Sequence, residues 1–370
     1  MFVDKEFPDK VWKLKKSLYG LKQSGRCWYS NLHATLLEHG FARSEYEGCI
    51  YSRTSGTSTT YVAVYVDDIV IASNDRRTVA ALKANLKSKY RITDAGRLEN
   101  FLGLRVTRNR GRRLIHIDQT QFIKDALVKF GFEHCLPASS TPMDNTVDLS
   151  VNKEYKAHPD DVSRFKSMVG TLAWVSTWSV PEITFAVHKL QRATNYPEPK
   201  HFAAAARVFK YLKGTGHKAL RIGVEQSHEH IAMPIYVNDR LDGKSVTGYI
   251  IFLGDSPIVW TSRLQKSVST STTEAEYLAL GECTKDVMWL RYLLSELGAK
   301  QILPTDINED NQACISWATE ITVTRKNRHL HVNYHFVREK VQSNEIKVRY
   351  IETKEQIADL FTKALTLDSF

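Results

Sequence analysis

The run from Tyr61 to Ser73 holds two adjacent aspartates, Asp67 and Asp68, between stretches of β-favouring residues. Tyr61, Val62, Val64, Tyr65 and Val66 precede the pair, and Ile69, Val70 and Ile71 follow it. Both flanks read as strands, so the Asp-Asp step predicts the tip of a β-hairpin. Aspartate is disfavoured inside strands and neighbouring like charges repel, so the pair calls for an electrostatic partner. A divalent cation is one such partner, because hard carboxylate oxygens suit Mg²⁺. A solvated acidic turn is the other reading, since aspartate is a common turn residue.

With 370 residues the chain is long enough for two or three domains, each with its own core. An apolar content of 42% excludes a disordered chain. Lysine and arginine number 51 against 41 acids, and the resulting charge of +10 favours a polyanionic partner, nucleic acid first. That excess is spread along the chain and by itself fixes no site. Cys27, Cys49, Cys135, Cys283 and Cys314 form no Cys-x-x-Cys and read as reduced thiols. No signal peptide opens the chain and no apolar run is long enough for a membrane span. The expectation is an intracellular protein, in a cytoplasmic particle or the nucleus, neither secreted nor in a membrane.

Element patterns divide the chain. Near the start, Val11 to Ser24 interleaves aromatic and basic residues around Gly20, which suits phosphates and stacked bases; an amphipathic segment with a lysine face is the alternative. Helices are predicted over Gly25–His39 and Arg77–Tyr90, with a turn and strand over Gly96–Val106 and a return strand over Arg113–His116. Asp118 caps a further helix that stops at Gly131. A loop-rich passage, Glu133–His158, leads to three helices: Ser163–Trp178, Pro181–Thr194 and Pro199–Lys213. From Ile231 the pattern becomes three short strands (Met233–Val237, Thr247–Leu253, Ile258–Ser262) and a long helix from Ser271 or Thr272 to Leu297. Alternating strands and helices close the chain: Thr305–Ile307, Asn311–Ala318, a helix around His335–Gln342, Ile346–Ile351 and a helix over Glu355–Ala364. That is an α/β layer, within a chain that is α/β and α+β multidomain overall.

Three carboxylates of the last unit sit where they could converge: Glu276 early in the long helix, Asp310 after a strand, and Asp359 in the final helix. Three acids at one point repel unless metals neutralise them, so convergence implies a two-metal phosphodiester centre. Each also has a local reading: Asp310 as a helix N-cap, Glu276 with Glu274 as dipole partners, Asp359 as a solvated helix residue. His329, His331 and His335 lack a nearby cysteine pair for a structural zinc, and a basic segment facing nucleic acid suits them better.

Ser17-Leu18-Tyr19-Gly20-Leu21-Lys22-Gln23-Ser24, followed by Tyr65-Val66-Asp67-Asp68, resembles the polymerase of copia-type LTR retrotransposons. Ser271-Thr272-Thr273-Glu274-Ala275-Glu276-Tyr277, Asp310-Asn311-Gln312-Ala313, Tyr334 to Lys340 and Ile357-Ala358-Asp359-Leu360-Phe361-Thr362-Lys363 resemble that family's RNase H domain. Between them, Met168 to Leu172 and Phe209 to Gly214 resemble its connecting region. The resemblance implies a partial reverse-transcriptase palm with a thumb-like part over 1–132, a linker and helical connection over 133–230, and an RNase H-like α/β domain over 231–370. It implies Mg²⁺ (or Mn²⁺) on Asp67 and Asp68, with Gly20 and Gln23 near incoming nucleotide and template, and the Asn100–Val106 hairpin on the primer. In the second centre Glu276, Asp310 and Asp359 would hold metal for cleaving RNA in an RNA–DNA hybrid, with residues 324–338 gripping the hybrid. The implied partners are therefore an RNA template, a DNA primer and the hybrid, with other polyprotein segments acting in trans.

Two departures from the pattern carry expectations of their own. The family palm uses a further aspartate upstream of the glycine-glutamine motif, and this chain starts almost at that motif; the expectation is a truncated polymerase without autonomous DNA synthesis. The RNase H pattern Tyr-x-Asp-Ala-Asp-Trp-Ala-Gly reads here Tyr236-Val237-Asn238-Asp239-Arg240-Leu241-Asp242-Gly243. Neutral Asn238 falls where the first acid belongs, and Asp239, on the opposite face of a strand, substitutes only through a bulge. The expected function is a retrotransposon-derived reverse transcriptase and ribonuclease H fragment, catalytically impaired; the alternative is a non-catalytic nucleic-acid-binding remnant.

Overall fold

A computed structural model describes residues 7, 14–135, 139–223, 231–238, 244–269, 271–320 and 331–370, of which 231–238 and 331–334 are described by backbone alone. Trp12, Asp239, Arg240 and residues 324–330, His329 among them, lie outside the described residues. The chain divides into two compact units, Met1–Arg97 with Glu296–Gly298, and Leu98–Ser295 with Ala299–Phe370.

The first unit holds helix α1 (Ser24–Glu38), strands β1 (Ala42–Arg43), β2 (Ile50–Ser55), β3 (Ser58–Tyr65) and β4 (Asp68–Ser73), and helix α2 (Arg76–Lys89). The hairpin predicted around the two aspartates forms: β3 and β4 pair antiparallel from Thr60↔Ser73 to Tyr65↔Asp68, leaving Val66 and Asp67 as the turn. Along β3, Thr60, Val62 and Val64 are buried in alternation with more exposed neighbours, so one face packs and the other does not. Leu32 and Leu36 of α1 and Leu82 and Leu86 of α2 close the core over that face. Asp75 caps α2, accepting from the Arg77 and Thr78 amides. β2 forms in a stretch to which the sequence assigned no strand.

The second unit begins with β5 (Asn100–Phe101), β6 (Leu104–Asn109) and β7 (Leu114–Asp118), then α3 (Thr120–Phe130), α4 (Pro159–Trp178), α5 (Thr184–Gln191), α6 (Pro199–Thr215) and β8 (Leu220–Gly223). The four strands form a sheet in the order β5-β6-β7-β8, and β8 is a strand inside the stretch read from sequence as linker and helical connection. Ile123, Phe130, Phe165, Leu172, Leu190 and Phe209 share the core of the α3–α6 layer. Asp118 stands one position ahead of the predicted capping role: Gln119 holds the N-cap of α3, while Asp118 accepts from the Thr120 amide at 3.1 Å and from Arg105 Nε at 2.9 Å.

The remainder of that unit is a five-stranded sheet, β9 (Ile231–Asn238), β10 (Ser245–Leu253), β11 (Ser256–Leu264), β12 (Thr305–Glu309) and β13 (Ile346–Tyr350), with helices α7 (Thr272–Glu296), α8 (Gln312–Thr319) and α9 (His331–Gln342). Its order is β11-β10-β9-β12-β13. β9, β10 and β11 pair antiparallel, whereas β12 runs parallel to both β9 and β13. Tyr277, Leu280 and Val287 of α7 pack with Ile307, Cys314 and Val337 over one face. The predicted helix over Glu355–Ala364 is instead two 3₁₀ turns, Thr353–Glu355 and Ile357–Phe361, broken at Gln356, which is extended (φ −80°, ψ 95°). No helix among the described residues is long and apolar enough to cross a membrane.

Candidate metal centre

Strand β12 delivers two acids in succession and then turns. Alternation along the strand puts Glu309 on the same face as Ile307, toward the core beneath α7, and both are fully buried. The chain bends at Asp310, and the next residue, Asn311, caps α8 by accepting from the Ala313 and Cys314 amides. Helix α7 brings Glu276 to the same place. Among the described residues, Glu276, Glu309 and Asp310 form a set in which one carboxylate oxygen from each lies within 4.8 Å of the other two.

Protein contacts orient two of these groups and leave oxygens over. The Asn311 amide donates to Glu309 Oε1 at 3.1 Å, and the Thr353 hydroxyl donates to Asp310 Oδ2 at 2.7 Å. Glu276 Oε2 and Glu309 Oε2 are buried without a hydrogen-bond partner. Burial, then repulsion from Asp310, pushes the Glu276 carboxyl up to about 7, against a hydrogen bond from Asn311. Burial pushes Glu309 well above the usual carboxylate range, Glu276 adds to it, and the Asn311 amide pulls the other way. Hard oxygen donors, close-set negative charge and two orphaned oxygens fit a hard divalent cation.

Of the acids picked from sequence for this centre, Glu276 and Asp310 meet, and Asp359 lies outside that set though near enough for Asp310 to act on its carboxyl. Asp359 is buried in the second 3₁₀ turn and pairs with Lys363. Burial raises its carboxyl, Lys363 opposes that, and Asp310 adds repulsion. Asn238 ends β9, its backbone opposite Ser245. Glu309 was missed because the predicted strand stopped at Ile307. Carried two residues further, the alternation Thr305, Ile307, Glu309 would have put an acid on the buried face.

Asp67 and Asp68 lie exposed at the hairpin turn and, among the described residues, do not join a set of three ligands. Val66, between Tyr65 and Asp67, has φ +52°, a conformation unfavourable for a β-branched residue. The Trp28 indole Nε1 of α1 donates to its carbonyl at 2.8 Å, fixing the turn. Gly20 has φ +89° with open space about it, which explains a glycine there by backbone conformation alone. Gln23, exposed, is the N-cap residue of α1 and makes no side-chain cap.

Residues 2–145 match the family model described as reverse transcriptase (RNA-dependent DNA polymerase). A retrovirus-related Pol polyprotein from transposon RE1 of Arabidopsis thaliana is 33% identical over 371 residues, covering 100% of this chain and 25% of the polyprotein. The chain thus spans about a quarter of the length of that relative. An RNase H1 isolated from compost is 14% identical with a TM-score of 0.30, over 37% of this chain and 94% of its own. A putative transposon Ty5-1 protein of Saccharomyces cerevisiae is 30% identical, over 77% of this chain and 92% of that protein. Matched along its whole length by a plant polyprotein and sharing nearly all of the yeast protein, the chain belongs to the Pol polyproteins of copia-type retrotransposons.

Proposed function

We propose that residues 231–370 form an RNase H-type unit that hydrolyses the RNA strand of an RNA–DNA hybrid. Residues 1–132 then carry part of a reverse-transcriptase palm acting on an RNA template and DNA primer, and 133–230 join the two. The meeting of Glu276 and Asp310, brought together from two different elements, carries the reading. Its support is the sheet beneath, an antiparallel three-strand start continued by two parallel strands.

Mg²⁺ or Mn²⁺ held by these carboxylates would supply charge stabilisation for the attacking and leaving oxygens of a phosphodiester. The chain's own part is to hold and aim the acids: the Thr353 hydroxyl fixes Asp310. Asp359, balanced by Lys363, stands as the third acid. Neutral Asn238 slows the reaction by removing one anionic ligand. On the polymerase side, Asp67 and Asp68 present open carboxylates at a turn fixed by Trp28, with Gly20 and Gln23 toward template and nucleotide.

The test is cleavage of a hybrid with a labelled RNA strand by the full chain with Mg²⁺ or Mn²⁺, beside a Glu276→Gln variant. Cation-dependent cutting that falls at least about 100-fold in the variant is the expected result. A chain that binds the hybrid in a salt-sensitive, metal-independent way and never cuts it is instead a nucleic-acid-binding remnant, and the enzyme reading fails.

A further inference from the structure

Glu309 makes no sense as an ordinary core residue. It is 0% exposed, shares the buried face of its strand with Ile307, and has among its described neighbours only the weakly donating thiol of buried Cys314 as a side-chain hydrogen-bond partner. Burying a carboxylate without a compensating charge is strongly unfavourable, and such groups are as a rule paired or bound to metal. The charged groups that act on Glu309 most strongly are Glu276 and Asp310, both acids. Its Oε1 takes the Asn311 amide, while its Oε2 is buried and receives nothing. Glu276 Oε2, from a different element, is orphaned in the same way.

We propose that Glu309 is itself a metal ligand, completing with Glu276 and Asp310 a three-carboxylate divalent-cation site drawn from the end of β12 and the start of α7. The inference rests on the metal-centre reading above and adds a residue to it. It also supplies an anion on β12, the strand running parallel beside β9, whose own last residue is the neutral Asn238. A site with Glu276 and Asp310 alone would offer two carboxylates; Glu309 restores the negative charge from the neighbouring strand. Mg²⁺ is commonly held by one or two carboxylates with water completing its shell, so three carboxylates within 4.8 Å make ample first-shell oxygen.

Binding of Mn²⁺ to the full chain, measured by titration calorimetry and by the loss of the free-ion EPR signal in mildly alkaline buffer, tests this without recourse to activity. Glu309→Gln keeps the volume and the Asn311 contact and removes the charge. A fall in Mn²⁺ affinity on the order of 10- to 100-fold is expected, with a melting temperature at least equal to wild type in the absence of metal. Should that variant fold poorly, Glu309→Asp keeps the charge while drawing the oxygens back by one methylene, and its Mn²⁺ affinity must also fall. Unchanged affinity in whichever of these folds, with wild type binding Mn²⁺ and Glu276→Gln losing it, overturns the Glu309 assignment and leaves the centre standing. A wild-type chain that binds no Mn²⁺ overturns both.

Discussion

At the scale of single residues, the cluster proposed to bind metal sets acids close together at a cost in stability, and Glu276 shows how. Its carboxyl is pushed up to about 7 by burial and by Asp310, above the 4.5 of an unperturbed glutamate. Between those two values the folded chain holds a proton that the unfolded chain has released, so stability falls as pH rises through the window and stays low above it. The carboxyl is partly open to solvent, which screens some of the effect, and the loss amounts to about 1–2 kcal/mol. Glu276→Gln removes this contribution. In metal-free buffer above neutrality the variant is expected to melt higher than wild type, and the gap should narrow below about pH 5. Mg²⁺ should raise the wild-type melting temperature alone. A variant that melts below wild type at every pH would show that Glu276 is structural. Glu276 and Asp310 were legible in sequence because each stands at the edge of an element. Glu309 was not, because a strand's length decides which face its last residue occupies, and a five-residue strand carries too few alternations to fix its own end.

At the scale of elements, most helices and the central hairpin were legible because their signals are local: apolar spacing, a stop at Gly131. The elements that escaped owe their form to distant partners. β8 is four residues long and exists by pairing with β7, Leu220 opposite Ile117, across more than a hundred residues of chain. β2 is rich in serine, threonine and arginine and becomes a strand against β3. The segment after Gln356 has helical residues, yet it lies pressed on strand β10. A Cβ added at Gly248 would come within 2.5 Å of the Thr362 methyl and 2.8 Å of Phe361 Cβ. Ala358 and Phe361 are buried with Ile250 in the same contact. A tight 3₁₀ turn, docked on a strand whose glycine leaves room, wins over helical propensity. Gly248→Ala should therefore lift this turn, costing about 1–3 kcal/mol by urea unfolding and displacing Asp359 from its place near Asp310. Wild-type stability in that variant would mean that the docking is slack and that Asp359 is positioned by Lys363 instead.

At the scale of the whole molecule, the charge of +10 becomes informative once the structure shows where part of it lies. Strands β6 and β7 and the turn between them carry Arg105, Arg108, Arg110, Arg112 and Arg113, all exposed. Arg105 is occupied by Asp118, whereas Arg108, Arg110 and Arg112 sit on or beside the tip of the hairpin. Composition alone could not separate a solvated excess of lysine and arginine from a surface made for phosphate, because net charge has no position. A hairpin tip with three arginines in five residues has one. If that tip holds a nucleic-acid backbone, each arginine that pairs with a phosphate releases a counterion, and the logarithm of affinity falls linearly with the logarithm of salt. Replacing Arg108, Arg110 and Arg112 together with alanine should weaken binding of an RNA–DNA hybrid at low salt and flatten that slope by about 2 to 3. The proposed metal ligands are untouched by these changes, so Mn²⁺ affinity should hold at the wild-type value. An unchanged salt slope would place the phosphate contacts elsewhere and return the arginine hairpin to an ordinary solvated edge.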